Sequence, residues 1–261
     1  MKIILGLFLP LVGTTVGSSL VFFLKDKINN KIEKVLLGFA AGVMIAASIW
    51  SLIIPSIDMS SYLGKWSFIP ASVGFLLGIF FLLALDTFVP HLHLDSDEPE
   101  GIKRGSKTRS KSMLFFTAVT LHNIPEGMAV GVLLAGVYYG YEMLTFSMAL
   151  ALSIGIAVQN LPEGAIISMP LYSNGMTKNK SFLYGFLSGV VEPIFAFVTI
   201  FIVRFVEPIL PYILSFAAGA MIYVVVEELI PEAHNGKHSN ISTISLAIGF
   251  VIMMILDIAL G

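Results

Sequence analysis

Two seven-residue stretches set metal-ligating side chains at helical spacing. One runs Leu121, His122, Asn123, Ile124, Pro125, Glu126, Gly127; the other runs Val158, Gln159, Asn160, Leu161, Pro162, Glu163, Gly164. His122 and Glu126 are four residues apart and Asn123 and Glu126 three, so on a helix all three share a face. Gln159, Asn160 and Glu163 repeat the arrangement. Pro125 and Pro162 lack an N–H, which frees the carbonyls of Leu121 and Val158 and kinks each helix. Gly127 and Gly164 let a neighbouring helix come close. A third carboxylate, Glu192, precedes Pro193 in another apolar run.

Carboxylates gathered in such a place repel one another, and a divalent cation removes the repulsion. Imidazole nitrogen and carboxylate oxygen are ligands for Zn²⁺, and also for Fe²⁺ or Mn²⁺. His122, Glu126, Gln159 and Glu163 suit one ion. Asn123, Glu126, Asn160, Glu163 and Glu192 suit a second, with the two motif glutamates bridging. A lone amide such as Asn123 or Gln159 also reads as interhelical hydrogen-bond glue, worth ~0.6–2 kcal/mol. The repeated histidine–glutamate and glutamine–glutamate pairs argue for a site, because ionisable groups at membrane depth mark function.

The elements that carry these residues are membrane helices. The chain has 261 residues, 56% hydrophobic and only 12% charged, with mean hydropathy +0.90. Ordinary soluble domains are nearer a quarter charged. The class is an all-α integral membrane protein. With no cysteine, disulfides and thiolate metal sites are excluded. Nothing resembles a nucleic-acid footprint. Eight apolar stretches, about 3–24, 35–57, 68–90, 113–137, 143–171, 181–204, 208–231 and 241–260, are long enough to span a bilayer. Ile3 to Leu24 exceeds a usual signal-peptide core and lacks a small-x-small cleavage site, so it reads as a mature helix. A β-barrel would show short alternating segments, and none is present.

Cations orient the spans. The first loop carries Lys25, Lys27, Lys31 and Lys34; the third Lys103, Arg104, Lys107, Arg109 and Lys111; the fifth Lys178 and Lys180; the seventh Lys237. These are 12 of the 15 Lys and Arg residues, and only Lys2, Lys65 and Arg204 fall on the opposite side. Positive loops stay cytoplasmic, which puts both termini outside. Phe39 to Ile45 on helix 2 matches Phe216 to Ile222 on helix 7, and prolines follow at Pro55 and Pro231. Gly74-Phe75 and Asp86 on helix 3 match Gly249-Phe250 and Asp257 on helix 8. Helices 1–3 and 6–8 then form inverted repeats around helices 4 and 5, a 3+2+3 arrangement. Inverted repeats with a midplane site are a transporter signature. The whole of 1–261 forms one transmembrane domain. Its third loop, about 91–112, carries His91, His93 and several acids that suit weak metal capture or an ordinary solvated loop. Asp58, Asp86, Glu227, Glu228 and Asp257 near helix ends serve either as solvated caps or as a relay or inner site along an ion path.

His-Asn-x-Pro-Glu-Gly on the fourth of eight helices, Pro-Glu-Gly on the fifth and Glu-Pro on the sixth resemble the ZIP (Zrt/Irt-like) metal transporters, the bacterial zinc branch in particular. The resemblance covers nearly the whole chain. It implies a multi-pass protein of the cell (inner) membrane that imports divalent metal into the cytoplasm, zinc first and iron, manganese or cadmium in some members. It implies a binuclear centre built from His122, Asn123, Glu126, Gln159, Asn160, Glu163 and Glu192. It also implies a bundle of helices 1, 4, 5 and 6 that moves against 2, 3, 7 and 8, and a homodimer in the lipid bilayer. Many relatives carry histidine or aspartate where this chain has Gln159 and Asn160, and His-Glu where it has Glu227-Glu228. Two rivals stand beside transport. An intramembrane metal-dependent hydrolase would need an activated water and a base, and the His-Glu-x-x-His pattern is absent. A metal sensor would bind without transporting.

Overall fold

The computed structural model describes residues 2–24, 29–88, 111–141, 143–203, 207–236 and 239–260. His91 and His93, with the rest of the loop at 91–110 and most of the orienting cations, lie outside the described residues.

Lipid leaves backbone groups no water to bond, so an apolar chain of this kind satisfies them within helices. Among the described residues these are eight long helices: α1 (Lys2–Ser19), α2 (Asn30–Ala47), α3 (Phe68–Phe88), α4 (Lys111–Tyr139), α5 (Phe146–Ser173), α6 (Lys178–Val203), α7 (Leu210–Val224) and α8 (Ile241–Leu260). There is no strand among the described residues. Polar side chains start two of the helices. Asn29 accepts from the Lys31 backbone N–H at 2.9 Å, and Thr145 accepts from that of Met148 at 3.1 Å, each satisfying an N–H that the first turn leaves open. α2 continues through a π-helical turn, Ser48–Ile53, into Ile54–Met59, and α7 continues through Val225–Leu229 into Ile230–His234. Both wide turns precede a proline, Pro55 or Pro231, which breaks the regular ladder behind it.

Among the described residues, seven helices are long and apolar enough to cross a membrane: α1 continued by a 3-10 turn to Phe22, α2 with its extension, α3, α5, α6, α7 with its extension, and α8. α4 is the remaining long helix. It interleaves His122, Asn123, Pro125 and Glu126 with its apolar residues. Large apolar side chains face outward along the bundle, Phe80, Phe197 and Ile258 among them. The interior is instead packed with small residues such as Ala41, Ala46, Ala129 and Ala218, as expected where backbones must approach without a hydrophobic drive between helices.

The most extensive pairings are α1 with α5, α2 with α8, α3 with α7 and α4 with α6. The contacts are reciprocal. A β-carbon on Gly42 of α2 would strike the Leu246 carbonyl of α8, and one on Gly219 of α7 would strike the Phe75 carbonyl of α3. In return, Gly249 of α8 abuts the Phe39 carbonyl of α2, and Gly78 of α3 abuts the Phe216 carbonyl of α7. Phe39 thus answers to Phe216 and Gly249 to Gly78. This corrects the sequence pairing of Gly249 with Gly74 by one turn. Gly74 and Gly78 are four residues apart on one helix face, so sequence alone could not choose between them. With Gly78 in place, Asp86 and Asp257 each lie eight residues beyond their glycine.

Candidate metal centre

The candidate site lies where the proline-bearing segments of four helices meet. α1, α4, α5 and α6 each hold an interior proline: Pro10, Pro125, Pro162 with Pro170, and Pro193. The motif glycines act as contact points. Gly127 of α4 lies against the backbone of Glu192 on α6, and Gly164 of α5 lies against the backbone of Thr14 on α1. Side chains one turn away are thereby brought to a common space.

His122, Asn123, Glu126, Gln159, Asn160 and Glu192 are all buried, and Glu163 is half-buried. The Gln159 Nε2 amide donates to Glu126 Oε1 at 2.6 Å. Asn123 Nδ2 donates to Glu192 Oε1 at 3.3 Å and to the Ser188 carbonyl at 3.0 Å. Asn160 Nδ2 donates to the Pro10 carbonyl at 3.4 Å. Glu126 lies close enough to Glu163 and Glu192 for their charges to interact, as does Glu163 to Glu228. The seven motif residues therefore converge, with one rearrangement. His122 does not turn to Glu126; its Nε2 contacts Glu228 Oε1 on the π-helical turn of α7.

The site is rich in acceptor oxygens that have no hydrogen-bond partner within 3.5 Å among the described residues. Glu126 Oε2, Glu163 Oε1, Glu192 Oε2, Asn123 Oδ1, Gln159 Oε1 and Asn160 Oδ1 are buried without a hydrogen-bond partner. Such atoms normally find donors, and a cluster of orphaned oxygens is the chemistry of a cation seat. Among the described residues, no three His, Asp or Glu side chains lie together closely enough to hold a metal by themselves. The convergent set mixes carboxylates with amides, and His122 is engaged by Glu228.

The other candidates separate clearly. Glu228 is buried at the site, while Glu227 and Asp58 are exposed. Asp86 accepts from Tyr223 Oη at 2.9 Å, and Asp257 accepts from Ser51 Oγ at 2.5 Å; both acids are half-buried and lie on α3 and α8. Sequence reasoning missed Thr14, whose Oγ1 donates to Glu192 Oε1 at 3.1 Å. Its signal was faint: a hydroxyl one turn after Pro10 in a helix with no charged residue past Lys2.

The family model described as ZIP Zinc transporter matches residues 90–257. Human Zinc transporter ZIP11 is 35% identical over 99% of this chain and 97% of its own length. Zinc transporter GufA of Myxococcus xanthus is 33% identical over 96% of each. The chain belongs to the ZIP zinc transporter family. A third relative, Zinc transporter ZIPB of Bordetella bronchiseptica, is 35% identical over 95% of this chain and 78% of its own. This ZIP chain is a membrane transporter of divalent metal ions rather than an enzyme, and the hydrolase reading falls away. The matched region holds both motifs, Glu192 and Glu228.

Proposed function

We propose that this ZIP protein carries Zn²⁺ into the cytoplasm by alternating access through a binuclear centre between α4, α5 and α6. The observation that carries the reading is the cluster of orphaned buried oxygens on Glu126, Glu163, Glu192, Asn123, Gln159 and Asn160. An unsatisfied buried polar group costs about 1–3 kcal/mol. A dication shared among several such groups offsets that cost and their mutual repulsion together. His122, Glu126, Gln159 and Glu163 form the first site. Asn123, Glu126, Asn160, Glu163 and Glu192 form the second, with Glu126 and Glu163 bridging.

Binding requires the amides to turn. Gln159 now aims its NH₂ at Glu126; a half-rotation presents its oxygen to the ion instead. His122 cannot serve both Glu228 and a metal through the same nitrogen. Metal capture in the first site therefore releases Glu228, which stands as the next ligand toward the inner end of α7. Release also needs weaker binding, and protonation of Glu126, Glu163 or His122 supplies it, because metal and proton compete for the same lone pairs.

The frame for this cycle is a single unit, 1–261, with eight spans including α4, in a 3+2+3 order. The repeat reading draws support from the reciprocal contacts of Gly42 with Gly219 and of Gly78 with Gly249. Cation placement in the loops favours both termini outside, in the cell (inner) membrane. Family resemblance adds a homodimer, and Fe²⁺, Mn²⁺ or Cd²⁺ as alternative cargo. The test is Zn²⁺ uptake into proteoliposomes. Wild type should load metal, and Glu126→Ala and Glu163→Ala should not. No flux from well-folded wild type across these metals and across pH would sink the reading.

A further inference from the structure

Glu192 is held in an unequal way. Oε1 accepts from Thr14 Oγ1 at 3.1 Å and from Asn123 Nδ2 at 3.3 Å, while buried Oε2 has no hydrogen-bond partner within 3.5 Å among the described residues. One oxygen is therefore tethered and the other is offered. Thr14 is wholly buried and sits where it can reach Glu192 because two glycines make room for it. Gly164 touches its carbonyl and Gly189 its side chain. Pairing is again reciprocal: Gly164 of the second motif meets Thr14 on α1 as Gly127 of the first meets Glu192 on α6. Thr14 thus occupies the place on α1 that Glu192 occupies on α6, and the two side chains meet. A hydroxyl has one proton to give. Its two acceptors are Glu192 at 3.1 Å and the Pro10 carbonyl at 3.4 Å, so the carboxylate has the shorter bond.

With Thr14 and Asn123 both donating to Oε1, its two lone pairs are filled and Glu192 bonds a metal through Oε2 alone; losing Thr14 frees one lone pair of Oε1. Small Zn²⁺ takes few ligands at short distance. Larger dications take more oxygens and can use both atoms of a carboxylate. We propose that Thr14 is a specificity-determining residue, which confines Glu192 to a single metal bond and so favours Zn²⁺ over a larger dication such as Cd²⁺. This rests on the binuclear centre proposed above.

The experiment compares Zn²⁺ and Cd²⁺ uptake by the full chain in proteoliposomes, with X-ray absorption of bound Cd²⁺ as a second readout. Thr14→Val keeps the shape and removes the donor. It should raise the Cd²⁺ to Zn²⁺ ratio of kcat/KM about tenfold, the scale of one hydrogen bond to a charged group, and add an oxygen to the Cd²⁺ shell. Thr14→Ser should keep the wild-type ratio and shell. An unchanged ratio and shell in Thr14→Val overturns the inference, and so does Thr14→Ser behaving like Thr14→Val. If Thr14→Val does not fold, Thr14→Ala carries the same expectation. If wild type moves neither ion, the transport reading fails by itself, and the Cd²⁺ shell still decides the role of Thr14.

Discussion

Glu126 survives in a lipid-length helix because neighbours answer part of its charge. Gln159 holds one of its oxygens, and the other has no hydrogen-bond partner among the described residues. The same division recurs at Glu192. Glu192→Gln removes a negative ligand from the proposed second site only, so an anomalous-scattering map should show that ion weakened and the first retained; loss of both, or of neither, contradicts the two-site division. His122 and Glu228 form another unit. Both are buried and in contact, and contacting residues couple by about 0.5–3 kcal/mol. A double-mutant cycle with His122→Gln and Glu228→Gln, followed by thermal denaturation in detergent, should return a coupling in that range. Strict additivity would mean that the contact carries no energy. The motif residues were legible in sequence because three- and four-residue spacing is local. Glu228 and Thr14 were not placed at the site, because each arrives from a helix distant in the chain.

Each helix is shaped by where it lets a neighbour approach. Gly42 and Gly219 sit at matching places in the repeated Phe-Ala-Ala-Gly segments, and each faces a backbone carbonyl with no room for a side chain. A carbonyl on a packed helix cannot step aside as a side chain can. Gly42→Val and Gly219→Val should therefore each destabilise by about 1–3 kcal/mol, read as similar falls in melting temperature. A large loss in one and none in the other would speak against equivalent packing. The π-helical turns belong to the same scale. Sequence showed Pro55 and Pro231 but not the widened turns before them, since a proline can be absorbed by a kink, a break or an extra residue in the turn. The widened turn of α7 carries Glu228, the residue that meets His122.

For the whole molecule, topology is the quantity most open to test. The chain has no cysteine, so a single engineered thiol reports its own location. Lys2→Cys and Gly261→Cys should react with a membrane-impermeant maleimide applied to intact cells, and Lys180→Cys should not. Labelling of Lys180→Cys with both termini protected would invert the proposed orientation. Composition and cation placement spoke to membrane class and orientation because hydropathy and charge act through bulk solvent and bilayer, with no need of the fold. Apolar length likewise pointed to the helices, and three- and four-residue spacing to one-faced sets of candidate ligands, since these features are local in the chain. Tertiary structure decided the rest: that His122 turns to α7, that α1 contributes Thr14, and that Gly78 rather than Gly74 answers to Gly249. Those outcomes depend on which surfaces of distant helices fit together. A step of one turn along a helix leaves the sequence pattern unchanged but alters every contact across the interface.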